Sequence, residues 1–274
     1  RTSLSFLRNF DLEPSPIDLL KNAQRLSADG MPCVWAGTGN SDQLVISFVL
    51  HLVTVSGGDV SHVHVVQFET DERTGQRIRG VGELSKDLLR EHPVPRRLEL
   101  FELSAYRDAW LAVTAPEPAS LESYAARHAD APAFLRDAVE KVMRRYPQRA
   151  SGLPHWDLRL LHHVREHGPK AQAVLAATIA EMNADADLVG DLYTFSRLVR
   201  MASPAAPNPL VGLSGNRQQI GRTEAQLTEF GEQVLEGTRC SWPANPIDDW
   251  AGGVHLNSAE DNLWFNDDGR IVRA

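Results

Sequence analysis

Three stretches of the chain hold residue types that could do chemistry. The first is Gly37-Thr38-Gly39-Asn40-Ser41, set between an apolar run ending at Trp35 and a helix-like run opening at Asp42. A strand-turn-helix of this kind offers unpaired backbone N–H groups at the positive end of a helix dipole, and glycine lets a phosphate approach the backbone. The stretch has neither the third glycine of a dinucleotide fingerprint nor the lysine of a phosphate-binding loop. Its plainer reading is a glycine turn with Asn40 or Ser41 as N-cap and Asp42 in the first turn. The second is His62 and His64, alternating with Val63 and Val65, which puts both imidazoles on one face of a strand. Such a pair serves proton transfer or forms a half-buried polar face.

The third is His163-Val164-Arg165-Glu166-His167. Two imidazoles four apart on a helix share a face and can meet one metal. Yet the apolar stripe Leu153, Trp156, Leu160, Leu161 and Val164 runs beside them, His167 falls in the last turn where a cation suits the dipole, and the sequence offers no evident third ligand. The expectation is therefore no metal and no cofactor. A G-x-S-x-G elbow does not occur, and no catalytic residue is assigned.

The elements that must position these residues begin with a β-α-β signal. Met31 to Trp35 reads as a strand, Asp42 to Val55 as a helix apolar on nearly all sides, Gly57-Gly58 as its end, and His62 to Phe68 as a second strand. A helix buried all round between apolar strands marks a crossover in a parallel sheet. Two strands make too small a sheet, so further strands are expected upstream of Arg1 or from other segments. Short helices are expected at 3–10 and 16–28, a polar loop or hairpin over 70–80, and a short helix capped by Ser85. Three helices follow from Ser104 to Tyr146, then three more at 153–167, 171–182 and 187–201, a strand at Leu210–Leu213 and a helix at Leu227–Leu235. The end reads as a hairpin, Leu263-Trp264-Phe265 and Ile271-Val272 about the turn Asp267-Asp268-Gly269.

These elements predict an α/β front domain with a partial parallel sheet over residues 1–103, N-terminally incomplete. A helical connector over 104–150 follows, and then a mainly α part over 151–274 with a winged-helix-like module and a C-terminal β-hairpin.

The chain has 274 residues, 42% of them hydrophobic, enough to bury a core. Its apolar runs are too short to span a bilayer, which predicts no membrane partner. Two distant cysteines, Cys33 and Cys240, fit a reducing compartment and a cytoplasmic protein. The net charge is −8, and residues 151–274 hold 10 basic and 16 acidic residues, 10 − 16 = −6. Phosphate contacts dominate affinity for DNA, so an acidic module disfavours nucleic acid and points to docking a protein partner or forming a homodimer.

Several motifs occur in a fixed order: Trp35 then Asp42-Gln43-Leu44, Gly80-Val81-Gly82 before Leu84, Trp110 leading to Pro116 and Pro118, and Trp250 leading to Gly252-Gly253 and Leu256. In this order they resemble the bacterial family catalogued as domain of unknown function 1835. The resemblance implies an α/β front domain, a helical C-terminal part and a start upstream of Arg1. It also implies an acidic or histidine pair where this chain carries Thr38 and Gly39, so any chemistry of that pair is in doubt here. The sequence thus predicts a small-ligand-sensing or protein-interaction (regulatory) protein, its unidentified small ligand, a phosphorylated one among the candidates, held by Trp35, Gly37, Thr38, Gly39, Asn40, Ser41, Asp42, His62 and His64. The alternative is an enzyme acting on a phosphorylated or nucleotide-like metabolite at residues 35–43.

Overall fold

The structure, a computed structural model, describes residues 32–274. The helices expected at 3–10 and 16–28 lie outside the described residues. The first elements are β1 (Cys33–Ala36), α1 (Asn40–Val55) and β2 (His64–Gln67). Strands β1 and β2 pair in parallel, Cys33 opposite His64 through Ala36 opposite Gln67, as the crossover requires. Next come the small hairpin β3 (Thr70–Asp71) and β4 (Gln76–Arg77), α2 (Lys86–Arg90) capped by the Ser85 hydroxyl, and β5 (Arg96–Arg97). The sheet's third strand is β5, which runs antiparallel beside β2.

α1 is not buried all round as the crossover reading expects. It buries the stripe Gln43, Ile46, Ser47, Leu50 and Val53, while Val45 and Val55 stay exposed. That spacing of three and four is the signature of a helix covering one face of a layer.

Helices α3 (Leu100–Thr114), α4 (Ala119–Arg127) and α5 (Ala133–Met143) follow. α3 starts four residues before Ser104 because Glu99 and Glu102 form a reciprocal capping box. Residues 104–150 were expected to be a connector, but Ala105, Tyr106, Ala109, Leu135 and Val139 pack with α1 and the sheet in one core. They are the second layer of the α/β part.

Beyond them lie α6 (His155–His167), α7 (Ala171–Ala184), α8 (Asp191–Met201), the antiparallel pair β6 (Val211–Gly215) and β7 (Thr223–Leu227), and α9 (Glu229–Leu235). Their apolar side chains, from Leu153 to Val234, form a second core. Two hairpins close the described chain: β8 (Asp248–Ala251) with β9 (Val254–Asn257), and β10 (Trp264–Asp267) with β11 (Arg270–Arg273). The last turn holds Asp268 and Gly269 at φ 49° and 86°, the two positive dihedrals of a tight hairpin.

One boundary needs correction. Ala251, Val254, Leu256, Leu263, Phe265 and Ile271 belong to the first core and not the second. The chain therefore leaves the α/β part, builds the unit around residues 153–234, and returns to complete the layer it left.

Candidate functional site

The bend after β1 is closed. Gly37 N–H donates to Asp42 Oδ2 (2.7 Å), and Ser41 N–H to Asn40 Oδ1 (2.8 Å). Thr38 N–H reaches the Ile78 carbonyl at 2.9 Å, Gly39 N–H the Arg79 carbonyl at 2.7 Å and Asn40 N–H the Ala186 carbonyl at 3.1 Å. The amides counted on to hold an anion are thus spent inside the protein, and the expectation of an open phosphate cradle here is corrected. Glycine is required for a different reason. A Cβ on Gly37 would sit 2.6 Å from the Arg79 backbone, and one on Gly39 2.5 Å from the Arg79 carbonyl oxygen and 2.9 Å from Leu188 Cδ1. The close approach is made by the protein's own chain.

The side chains of the bend serve the same closure. Asp42 Oδ2 also accepts from Val81 N–H (2.9 Å). The Thr38 hydroxyl donates to the Ile78 carbonyl (3.0 Å) and accepts from Arg77 Nε (2.7 Å). The expected N-cap is Asn40 or Ser41, but the cap position is Gly39. Asn40 instead donates Nδ2 to Asp187 Oδ1 (2.7 Å) and accepts from Leu188 N–H (3.0 Å). Ser41 Oγ meets the Leu188 carbonyl at 3.3 Å. Trp35 tilts against Phe68 and His92 at centroid separations of 5.4 and 4.9 Å, packing beside the small cluster of Val66, Phe68 and Ile78.

His62 and His64 do not share one face of a strand. His62 ends a 3-10 turn, exposed and 3.7 Å from Asp59, while His64 opens β2, buried, with Nδ1 2.9 Å from the His62 carbonyl. The turn ends between them and breaks the two-residue period on which the pairing depended.

Asp187, almost fully buried, joins the two parts of the chain. It accepts from Asn40, from Trp156 Nε1 (2.7 Å) and from the Arg145 guanidinium, which lies 5.0 Å over the Trp156 ring. Burial raises its pKa against the pull of Arg145 and Lys141. A second ionic cluster lies where α8 meets β8. Arg197 donates Nε to Asp157 Oδ1 (2.8 Å) and Nη1 to Asp249 Oδ2 (2.5 Å), and Arg200 Nη1 sits 3.0 Å from Asp249 Oδ1. Burial opposes charge on Asp249, yet the two guanidinium groups hold its carboxyl below the usual range. These residues line a cleft of about 100 Å³. A larger one, about 340 Å³, opens between α1 and α3, lined by Leu50, Thr54, Val60, Leu103, Ser104 and Arg107.

The end of α6 gathers a group that the sequence showed only in part. His163 Nδ1 lies 3.8 Å and His167 Nε2 4.0 Å from the same oxygen of Glu166, and all three donor atoms fall within 4.8 Å of one another. Sequence reasoning missed Glu181. It lies on α7, and its Oε2 meets His163 Nε2 at 2.7 Å and accepts from Arg159 Nη2 at 2.8 Å.

No family model matches the chain, and no curated protein matches it in sequence. The family resemblance thus rests on the quoted residues alone, and several of them make contacts within the fold. Asp42 bonds Val81, Gln43 Oε1 accepts from the Tyr106 hydroxyl (2.7 Å), and Gly253 N–H donates to the carbonyl of Val113, three residues after Trp110, at 2.8 Å. Trp110 itself packs on Phe48 at 4.8 Å between centroids. Their contacts are those of residues that hold a fold together.

Proposed function

We propose that this chain is a regulatory binding protein that senses a small amphipathic molecule in the cleft between α1 and α3. The observation that carries the reading is the make-up of that cleft. It offers about 340 Å³, an apolar body from Leu50, Val60 and Leu103, and a rim of Thr54, Ser104 and Arg107. Ligand pockets fall in the range of about 300–1,000 Å³ with a few polar groups fixing orientation, so shape and lining suit binding. The rim also carries the Asp59 carboxylate, and Arg107 lies 3.5 Å from Asp108, so the charged groups at the mouth suit a ligand with a polar end. The alternative, catalysis on a phosphorylated metabolite at residues 35–43, loses support because Gly37 through Ser41 have no N–H left to hold it.

The helices and strand pair over residues 155–227 give the proposal its output. We assign them a winged-helix-like docking role toward a protein partner or second copy, supported by the element order and by the net charge of −6 over 151–274. Membership of the family of domain of unknown function 1835, and a bacterial cytoplasmic setting, belong to the same proposal. Among the described residues, no helix is long and apolar enough to cross a membrane.

A thermal-shift series with medium-chain and aromatic carboxylates tests the sensing reading. At a hundred times its dissociation constant a ligand stabilises the fold by about 2.7 kcal/mol. Leu103→Trp, which fills the cleft, is expected to abolish the shift. An equal shift in that variant, or none in the unaltered protein across the series, overturns the proposal.

A further inference from the structure

We infer that the C-terminal end of α6 is a binding site for a divalent transition metal of the zinc class, with His163 Nδ1, Glu166 and His167 as ligands and Glu181 as the group that orients His163. This inference is independent of the cleft between α1 and α3. Three observations carry it.

The first is an orphaned nitrogen. His163 is more than nine-tenths buried, at 7% exposure, and its Nδ1 has no hydrogen-bond partner among the described residues. A buried polar atom without a partner costs about 1–3 kcal/mol, so it calls for a reason.

The second is the tautomer. The Glu181 carboxylate accepts at 2.7 Å from His163 Nε2 and is itself held by Arg159, so the proton of a neutral imidazole sits on Nε2. The unprotonated Nδ1, buried and without a partner among the described residues, then lies 3.8 Å from the Glu166 carboxylate oxygen. Two acceptors brought this near to one another suit a cation between them. A carboxylate that fixes the far nitrogen of a metal-binding imidazole is a standard support for such a ligand.

The third is convergence. His167 stacks on His163 at 5.3 Å between centroids and brings its Nε2 to 4.0 Å from the same Glu166 oxygen. Zinc bonds nitrogen at about 2.0–2.1 Å, which in a tetrahedral site sets ligand atoms about 3.3 Å apart. The present spacing, within 4.8 Å, closes to that by rotating Glu166 and His167, whose side chains are about half exposed. The buried histidine is fixed and the two exposed ligands fold onto it. The negative end of the α6 dipole adds to the attraction for a cation. Two imidazoles and one carboxylate form a borderline donor set that suits zinc, cobalt and nickel over magnesium or calcium, and three ligands leave a fourth position open to water or substrate.

The test is calorimetric titration of untagged, chelator-treated protein with Zn²⁺, together with the visible absorption of the Co²⁺ form. One ion per chain is expected, with a cobalt band of four-coordinate character. His167→Ala and Glu166→Ala change exposed side chains and leave the fold intact by circular dichroism. Each is expected to weaken binding at least tenfold, and the double variant to abolish the cobalt band. Glu181→Gln, which touches no metal, is expected to weaken affinity by about 10–100-fold. Glu181→Gln is read also by the histidine nitrogen resonances, where loss of the fixed Nε2–H tautomer of His163 separates positioning from mere destabilisation. Absence of zinc binding, or binding undiminished in the His167→Ala/Glu166→Ala double variant, overturns the inference. The latter result would assign the ion to others of the ten histidines.

Discussion

The bend after β1 and the end of α6 are opposite in character, and the sequence suggests the reverse of what each provides. The bend has the glycines and the helix N-terminus of an anion site, yet every amide from Gly37 to Ser41 is satisfied within the protein. The end of α6 resembles the last turn of an ordinary amphipathic helix, yet one buried nitrogen there has no partner among the described residues. What makes a site is unspent bonding capacity, and that depends on which distant segments arrive. The carbonyls of Ile78, Arg79 and Ala186 arrive at the bend and use up the amides of Thr38, Gly39 and Asn40, while the Asp42 and Asn40 side chains take those of Gly37 and Ser41. At the end of α6, Glu181 arrives and fixes one nitrogen of His163 while leaving the other open.

The sharpest way to break this comparison is to unfasten the bend. Asp187→Ala leaves Arg145 buried without its carboxylate and removes the acceptor for Asn40 and Trp156, so a loss of about 3–5 kcal/mol in urea unfolding is expected. A loss under 1 kcal/mol would mean that the junction does not hold the bend closed. Gly39→Ala drives a Cβ against the Arg79 carbonyl and Leu188, for an expected cost of about 1–3 kcal/mol by the same measurement. A neutral result would show that the bend has room after all.

The pH dependence of stability separates the two ionic clusters by sign. Asp249 is held below its ordinary value, so its contribution is present above about pH 4 and fades as pH falls through the folded value. Asp187 is raised, so its contribution is present below about pH 4 and is lost as pH rises through its folded value. Denaturation of Asp249→Asn and Asp187→Asn against the unaltered protein from pH 3 to 7 should show gaps that change in opposite directions. Parallel gaps would refute the assignment. The smallest effect belongs to His163→Leu. Losing the bond to Glu181 costs about 1 kcal/mol, and removing an unpaired nitrogen offsets it, so stability should change by less than about 1 kcal/mol. A much larger loss would identify His163 as a structural residue with its hydrogen-bonding capacity already spent.

The βαβ start was legible because strand and helix periods are local. Met31–Trp35 and His62–Phe68 anticipated β1 and β2 to within a few residues. The tail hairpin was legible from its Asp-Gly turn. The third strand, Arg96–Arg97, was not, since two arginines carry no strand signal and pair only because β2 offers an edge. Capping by Glu99 was hidden because a glutamate at that position is uncommon and works here through its reciprocal bond with Glu102. Of the expected site, the backbone bend was placed correctly and its occupancy was not, because the segments that fill it lie about 40 and 147 positions away along the chain. Glu181 escaped for the same reason, coming from the neighbouring helix.

The return of residues 251–271 to the first core has a bearing on how the chain assembles. Residues bonded to this segment, such as Val113 to Gly253 and Glu122 to Ile271, are translated some 140–150 positions earlier, whereas the core of residues 153–234 is assembled from nearby sequence. Long-range closure is slow, so on a growing chain the inner unit can mature while the outer layer still shows an unfilled apolar seam. That seam is the interval in which a chaperone or a misdirected neighbour would find this protein.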